Sequence, residues 1–362
     1  MKKYNVIDLF AGAGGLSYGF YKNDKFKILC ANEIEKDMCE TYKSNHRDVL
    51  VYNEDIKNFT VNKLKKDLSI EKLDIDVIIG GPPCQAYSTV GKRLLDDPRG
   101  KLFQEYYRIV KEANPKLFIF ENVKGLVSMD KGNLLKLIIS LFEKIGYTVH
   151  YKILNALDYG VPQNRERVII VGTKPNYQFN FPLQTHNQDG SNGLKKHLTL
   201  ADAISDLPSL DNNDKKTEYL LEPKNNYQKM MRKNTMKLTY HQSPNNNQKL
   251  RNLMKALPDG GTPKDVHIDL RPQSGYKNTY CKLWWNRPST TITRNFSTPS
   301  SSRCIHPKDP RPLSPREAMR IQSFPDDYIF CGSKTSINLQ IGNAVPPILS
   351  EFLAESTLQA LS

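Results

Sequence analysis

Short apolar runs, each closed by a small or polar residue, recur along the first half of the chain. Tyr4 to Phe10 is the first, broken only by Asp8; Phe26 to Ala31, Val49 to Tyr52, Asp76 to Ile79, Leu117 to Phe120, Gly146 to Leu154 and Val168 to Gly172 come after it. Runs of this length bounded by turn signals predict buried strands. Helical stretches fall between them, through Phe20 and over Leu102 to Val110. Strand alternating with helix predicts an α/β sheet whose ligands gather beyond the carboxyl ends of its strands. From Lys174 to about Arg311 the periodicity fades, Pro, Asn and Ser become frequent, and only short strand candidates such as Thr290 to Thr293 remain. Regular structure resumes at Ser314-Pro315-Arg316-Glu317, a helix start with Ser as cap, Pro first and Glu third. Gln340 to Pro347 then predicts a turn, with a helix from about Ile348. Two lobes are expected: residues 1–178 plus 313–362 as the α/β lobe, and 179–312 as a second, smaller, irregular and mostly β lobe.

The strand ends carry the candidate chemistry. Gly80-Gly81-Pro82-Pro83-Cys84-Gln85 closes one apolar run. Two glycines allow a sharp turn and close approach to a ligand, and two prolines hold the next residues rigid, so the Cys84 thiol would be presented in a fixed direction. A single buried cysteine of purely structural kind is the other local reading. Ala11-Gly12-Ala13-Gly14-Gly15-Leu16 comes directly after the first run and opens a helix, an arrangement that brings a nucleotide close to backbone amides. Asn32-Glu33 stands roughly 20 residues further on, where a carboxylate could take both hydroxyls of a ribose. Ser17 replaces the third glycine of the dinucleotide pattern, so the turn fits an adenosine-containing cofactor without specifying it. Asp55-Ile56 could hold an adenine amino group and cover its face, or cap the next helix. Glu121, directly after Leu117 to Phe120, is expected to be partly desolvated and to retain its proton. Arg165 and Arg167 are two apart and would share one face of an extended segment.

Charge adds a partner. The formal net charge is +14, and residues 179–312 hold 21 Lys+Arg against 11 Asp+Glu, so most of the excess lies in the irregular lobe. A concentrated basic field attracts polyanions, nucleic acid first among them. Lys92, Arg93 and Arg99, in a stretch with little apolar content between Ala86 and Lys101, suit phosphates on a mobile loop. Trp284 and Trp285 beside Arg287 could pack on nucleic acid or belong to the core. Six cysteines without a Cys-x-x-Cys pair suggest neither a disulfide framework nor a zinc ribbon. No secretory pattern opens the chain and no run of eighteen apolar residues occurs, so a cytoplasmic, reducing location without a membrane span is expected.

Together these stretches resemble the ordered motif set of the bacterial carbon-5 cytosine-specific DNA methyltransferases. The matching residues are Asp8 to Gly15, Asn32-Glu33, Asp55-Ile56, Pro82 to Gln85, Glu121-Asn122-Val123, Gln163-x-Arg165-x-Arg167 and Gly342 to Val345, which span nearly the whole chain. The resemblance implies an S-adenosylmethionine-dependent (Rossmann-like) catalytic lobe facing a target-recognition lobe across a DNA cleft. It implies a cofactor site of Phe10, Gly12, Gly14, Gly15, Leu16, Glu33, Ile34, Asp55, Ile56, Pro83, Leu102, Asn343 and Ala344, with S-adenosylhomocysteine as product and no metal. Cys84, Glu121, Arg165 and Arg167 would be catalytic, and Gln85, Ser88, Lys92, Arg93, Arg99 and Arg294 would touch DNA. The enzyme implied acts on a flipped-out cytosine in a short duplex sequence, as a monomer close to the nucleoid and functionally paired with a restriction endonuclease. A tRNA cytosine-5 methyltransferase with the same motifs, or a catalytically silent DNA-binding homologue, are the alternatives.

Overall fold

The computed structural model describes residues 3–83, 101–233 and 235–362. In chain order the elements are β1 (Tyr4–Leu9), α1 (Tyr18–Lys22), β2 (Phe26–Glu33), α2 (Lys36–Asn45), β3 (Leu50–Asn53), α3 (Val61–Asp67), β4 (Val77–Gly80), α4 (Lys101–Ala113), β5 (Leu117–Val123), α5 (Asn133–Lys144), β6 (Thr148–Asn155) and β7 (Glu166–Thr173), then β8 (His186–Asn187), β9 (Lys195–Lys196), α6 (Leu200–Ile204), α7 (Asn226–Arg232), α8 (Gln248–Ala256), α9 (Pro315–Ile321), α10 (Lys334–Asn343) and α11 (Pro347–Leu361). Every apolar run read as a strand in the first half forms one.

The chain divides into two compact units, the first made of residues 1–155, 166–183 and 347–362. Its seven-stranded sheet has the order β3-β2-β1-β4-β5-β7-β6, in which β1 to β5 pair in parallel and β7 runs antiparallel to both neighbours. Alternation along β1 sorts its side chains. Ile7 and Leu9 enter the main core with Phe103, Tyr106, Phe118, Phe120 and Phe142, while Asp8 takes the intervening position. The last helix, α11, returns to this unit and packs on α1. A Cβ on Gly19 would lie 2.4 Å from backbone atoms of Ser350 and Glu351, and Gly19 N donates to Ser350 Oγ at 2.9 Å, so the two helices touch backbone to backbone.

The second unit, residues 156–165 and 184–346, is irregular, as the fading periodicity predicts, but it is not mostly β. Its described strands are the two-residue pair β8 and β9, supplemented by isolated bridges, and Thr290 to Thr293 is not a strand. Buried arginines take the place of ladders. Arg320 donates from Nε and Nη2 to Asp326 at 2.6 Å each and from Nη1 to Asp206 at 3.1 Å, while Arg316 reaches Asp326 at 3.1 Å. Arg311 grips Glu317 with two bonds of 2.8 and 2.7 Å and Asp309 with two of 3.2 and 2.7 Å. Burial alone would push Glu317 up; the Arg311 guanidinium and the neighbouring imidazoles hold it well below the usual carboxylate range.

This network also moves the expected boundary. Residues 313–346 group with the second unit rather than the first, because Arg316 and Arg320 tie α9 to Thr239, Ala203 and Asp206. The capping box at Ser314 forms as read, with Ser314 N donating to Glu317 Oε2 at 2.7 Å. Gln340 to Asn343, expected as a turn, is instead the last turn of α10.

Asp326 is the shared acceptor of two fully buried guanidinium groups, and removing it leaves Arg316 without its carboxylate and Arg320 with Asp206 alone. Asp326→Ala should cost about 3–5 kcal/mol, read as a lowered denaturant midpoint. Lys22→Ala, which breaks the exposed Lys22–Glu351 pair, should cost under about 1 kcal/mol. Equal effects would show that the buried network is not what holds the second unit.

Candidate functional site

Strand order reverses between β1 and β4: the chain moves from β1 outward to β2 and β3, then crosses back to β4 and on to β5. Such a switch point leaves a crevice at the carboxyl ends of the two strands. Leu9 pairs with Gly80 there, so the glycine turn after β1 and the Gly81-Pro82-Pro83 segment after β4 leave the sheet side by side. Only glycine fits at 80, since a Cβ would stand 2.5 Å from the Leu9 carbonyl oxygen and 2.8 Å from the Tyr106 ring.

On the β1 side the backbone is coiled tightly. Phe10, Gly12 and Gly14 have φ of 55°, 54° and 83°, and Gly14 N donates to Ala11 O at 3.0 Å. Glu33, at the end of β2, accepts from Gly12 N at 2.8 Å on one oxygen and from Glu35 N at 3.0 Å on the other. Burial raises the Glu33 carboxyl, and the Glu35, Gly12 and Ile34 amides oppose the rise. Asp55 lies just beyond the end of the neighbouring β3; it caps a short 3-10 turn by accepting from Lys57 N at 3.0 Å while its side chain stays 39% exposed. Asn53 Nδ2 bonds the Ile34 carbonyl at 2.8 Å and so fixes the backbone beside Glu33. Ile34 itself is 61% exposed, whereas Ile56 is in the core, so Ile34 supplies the open apolar surface here.

These residues fit S-adenosylmethionine. A Cβ on Gly12 would meet nothing within 4 Å, leaving an open cradle, and the Glu33 carboxylate, with about four acceptor sites and three neighbouring amides, keeps one for a ribose. Gly15 and Leu16 are buried behind the turn, Leu102 packs against the core, and Pro83 is exposed. Asn343, exposed, and Ala344, half-buried, belong to the second unit at the end of α10.

On the β4 side, β5 and β7 deliver two charges. Glu121 lies opposite Ile169, and Arg167 is two residues earlier on β7, so their side chains are diagonal neighbours on one face. Glu121 Oε1 meets Arg167 Nε at 2.9 Å with both side chains 12% exposed. The carboxyl expected to be partly desolvated thus lies against a guanidinium. Gly81 makes room for it, since a Cβ would stand 2.8 Å from Glu121 Oε2. Asn122, on the opposite face of β5, donates to Pro82 O at 2.9 Å and ties down the segment that leads to Cys84. Sequence reasoning gives Asn122 no such role; a polar residue directly after an apolar run and a carboxylate is its signal.

Arg165 does not join that pair in the described contacts. It is fully buried in the second unit and donates to the Ile292 and Gly342 carbonyls at 2.9 Å each. Gln163 acts in the same way, donating to Ile321 O at 3.1 Å and accepting from Ile292 N at 2.9 Å. Arg294 is exposed. Trp284 lies under the Arg303 guanidinium at 4.1 Å and Trp285 under Lys308 at 4.0 Å, both half-buried. Cys84, Gln85, Ser88, Lys92, Arg93 and Arg99, with the loop read over the site, lie outside the described residues.

Gly81→Ala should displace the Glu121 carboxylate from Arg167 and cost about 1–3 kcal/mol by overpacking. A crystal structure of the variant and its urea midpoint check this. An unmoved carboxylate with unchanged stability would mean that the turn has slack the distances do not show.

Residues 4–359 match the sequence profile of the C-5 cytosine-specific DNA methylase family. Type II methyltransferase M.DdeI of Desulfomicrobium norvegicum is 38% identical over 97% of this chain and 88% of its own length. Type II methyltransferase M1.HphI of Haemophilus parahaemolyticus is 35% identical over 98% of this chain and 86% of its own. Among solved structures, a prophage-encoded E. coli protein described as a DNA modification methyltransferase superposes with a TM-score of 0.78 at 25% identity, covering 99% of each chain. The S. pombe Dnmt2 methyltransferase shares the fold, with a TM-score of 0.64 at 16% identity and 99% coverage of each. A glycine turn and a Glu-Arg pair on neighbouring strand ends, in a chain matched from end to end, place this protein in the C-5 cytosine-specific DNA methylase family.

Proposed function

We propose that Cys84, Glu121 and Arg167 form the reacting set of this C-5 cytosine DNA methyltransferase. The Glu121–Arg167 pair beside the Pro82 clamp carries the reading, since it puts an acid and a hydrogen-bond donor next to the segment that ends in Cys84. Carbon 5 of cytosine is a weak nucleophile. A thiolate bond from Cys84 to carbon 6 turns the ring into an enamine whose carbon 5 can accept a methyl group, after which loss of the carbon-5 proton expels the sulfur. A free thiol has a pKa of about 8.5, so arginine charge near the site serves its activation. Glu121 serves ring nitrogen 3, drawing charge from carbon 6, and Arg167 both holds Glu121 and reaches the ring carbonyl. Arg165 is a positioning residue for the Ile292 and Gly342 backbone.

Bound S-adenosylmethionine supplies the electrophilic methyl group. Glu33 serves its ribose, Asp55 and Ile34 its adenine, and the turn from Phe10 to Gly14 its amino-acid end. Carbon 6 is inaccessible inside a stacked duplex, so the cytosine is rotated out, at a cost of a few kcal/mol repaid in the pocket. Gln85 and Ser88 serve the opened duplex, and Lys92, Arg93, Arg99 and Arg294 its phosphates. Duplex DNA is the substrate, taken by a monomer in the bacterial cytoplasm, at the nucleoid, that protects the sites of a separate restriction endonuclease. Among the described residues no helix is long and apolar enough to cross a membrane.

Labelled methyl should pass from S-adenosylmethionine to unmethylated duplex DNA, and bisulfite sequencing should place it at one short recurring sequence. Transfer to tRNA and not to DNA would overturn the substrate. Cys84→Ala should abolish transfer while S-adenosylmethionine still binds by calorimetry, and Glu121→Gln should lower kcat by about 10²-fold or more. Wild-type turnover in Cys84→Ala would overturn the mechanism.

A further inference from the structure

Asp8 is the one carboxylate inside the β1 run, 1% exposed, and the proposed reacting set gives it no part. Its strand neighbours are Ala31 on β2 and Ile79 on β4, and its Oδ2 has no hydrogen-bond partner. The polar groups around it lead to the glycine turn. Ser17 Oγ donates to Gly14 O at 3.3 Å and lies 3.3 Å from His46 Nε2; His46 stacks on Tyr42 at 4.1 Å, and its Nδ1 lies 3.3 Å from the Tyr42 carbonyl. Resting on the cofactor site proposed for this turn, we propose that Asp8, buried beneath it, makes the pocket favour the positively charged methyl donor over its neutral thioether product.

Burial raises the Asp8 carboxyl to about 7, the Ser17 and Tyr42 hydroxyls oppose the rise, and the Glu33 carboxylate adds to it. The other ionisable groups that bear on it among the described residues are the Cys30 thiol and the Tyr106 phenol, both raised by burial and so neutral, and, through Ser17, the His46 imidazole, which burial pushes down to about 3 and keeps neutral. No cation among these groups compensates Asp8, and a cationic ligand bound over the turn does. S-adenosylmethionine and S-adenosylhomocysteine share their adenosine and amino-acid parts and differ by the sulfonium charge, so any difference in their response to Asp8 is electrostatic. As pH rises through about 7 Asp8 ionises, the donor gains affinity and the product does not. The turn thus holds the donor and releases the product.

Dissociation constants for both ligands, measured by calorimetry on the full chain from about pH 6 to 8.5, test this. The ratio of product to donor constants should rise severalfold in the wild type, with about tenfold as the return on a one-unit coupling, and should stay flat in Asp8→Asn. The unliganded wild type should also lose thermal stability as pH rises through about 7, because the folded carboxyl sits above its unfolded value, and Asp8→Asn should lose less. A flat wild-type ratio overturns the inference whatever the variant does. Failure of the wild type to bind either ligand overturns the cofactor reading, and the inference with it.

Discussion

The pairing of Leu9 with Gly80 at the centre of the sheet is the constraint on which the rest of the site depends. It brings two strands of opposite outward progression into contact, and the missing side chain at 80 lets the Leu9 carbonyl approach where a Cβ would stand at 2.5 Å. From that contact the glycine turn and the Pro-Pro segment leave the sheet, the turn held to Glu33 through Gly12 N and the segment to Asn122 through Pro82 O. Glu121 and Arg167 then require the antiparallel insertion of β7 beside β5, because a parallel neighbour would bring a different end of the strand, with different residues, to the same edge.

Much of the first unit was legible because its central strands, β1, β2, β4, β5 and β7, are largely buried and therefore read as continuous apolar runs. The residues ending those runs, Gly81, Glu33 and Glu121, were legible for the same reason: a polar or small residue after four apolar ones marks an edge. The second unit was not, since side chains and not ladders fix its course. Gln163, Arg165, Arg311, Arg316 and Arg320 each bond backbone carbonyls or buried carboxylates far along the chain, and such contacts leave no period in the sequence. The 312/313 boundary moved for this reason, as Arg316 and Arg320 look like ordinary solvated helix charges until their partners are known. Gly342-Asn343 reads as a turn because both residues disfavour helix interiors; here the glycine is needed for contact, since a Cβ would lie 2.2 Å from Arg294 N.

Arginine is used in two ways. Arg165 satisfies carbonyls and stays within protein, while Arg167, two residues on, meets a carboxylate that faces the site. Their spacing makes them look equivalent, but β7 begins only at Glu166, so Arg165 precedes the extended segment that a shared face needs. What distinguishes them is where regular structure starts, a boundary that sequence patterns fix least well.

Asp8 and Glu121 show the same division among carboxylates. Glu121 has a guanidinium at 2.9 Å, so its charge is compensated within the protein. Asp8 has hydroxyls and an unpartnered oxygen, and the sheet on either side keeps water from it. An unpaired buried carboxyl costs stability whenever it is charged. Its position beneath the turn proposed to hold the cofactor gives that cost a counterpart, because no cation stands among the described groups around it and a bound sulfonium would supply one.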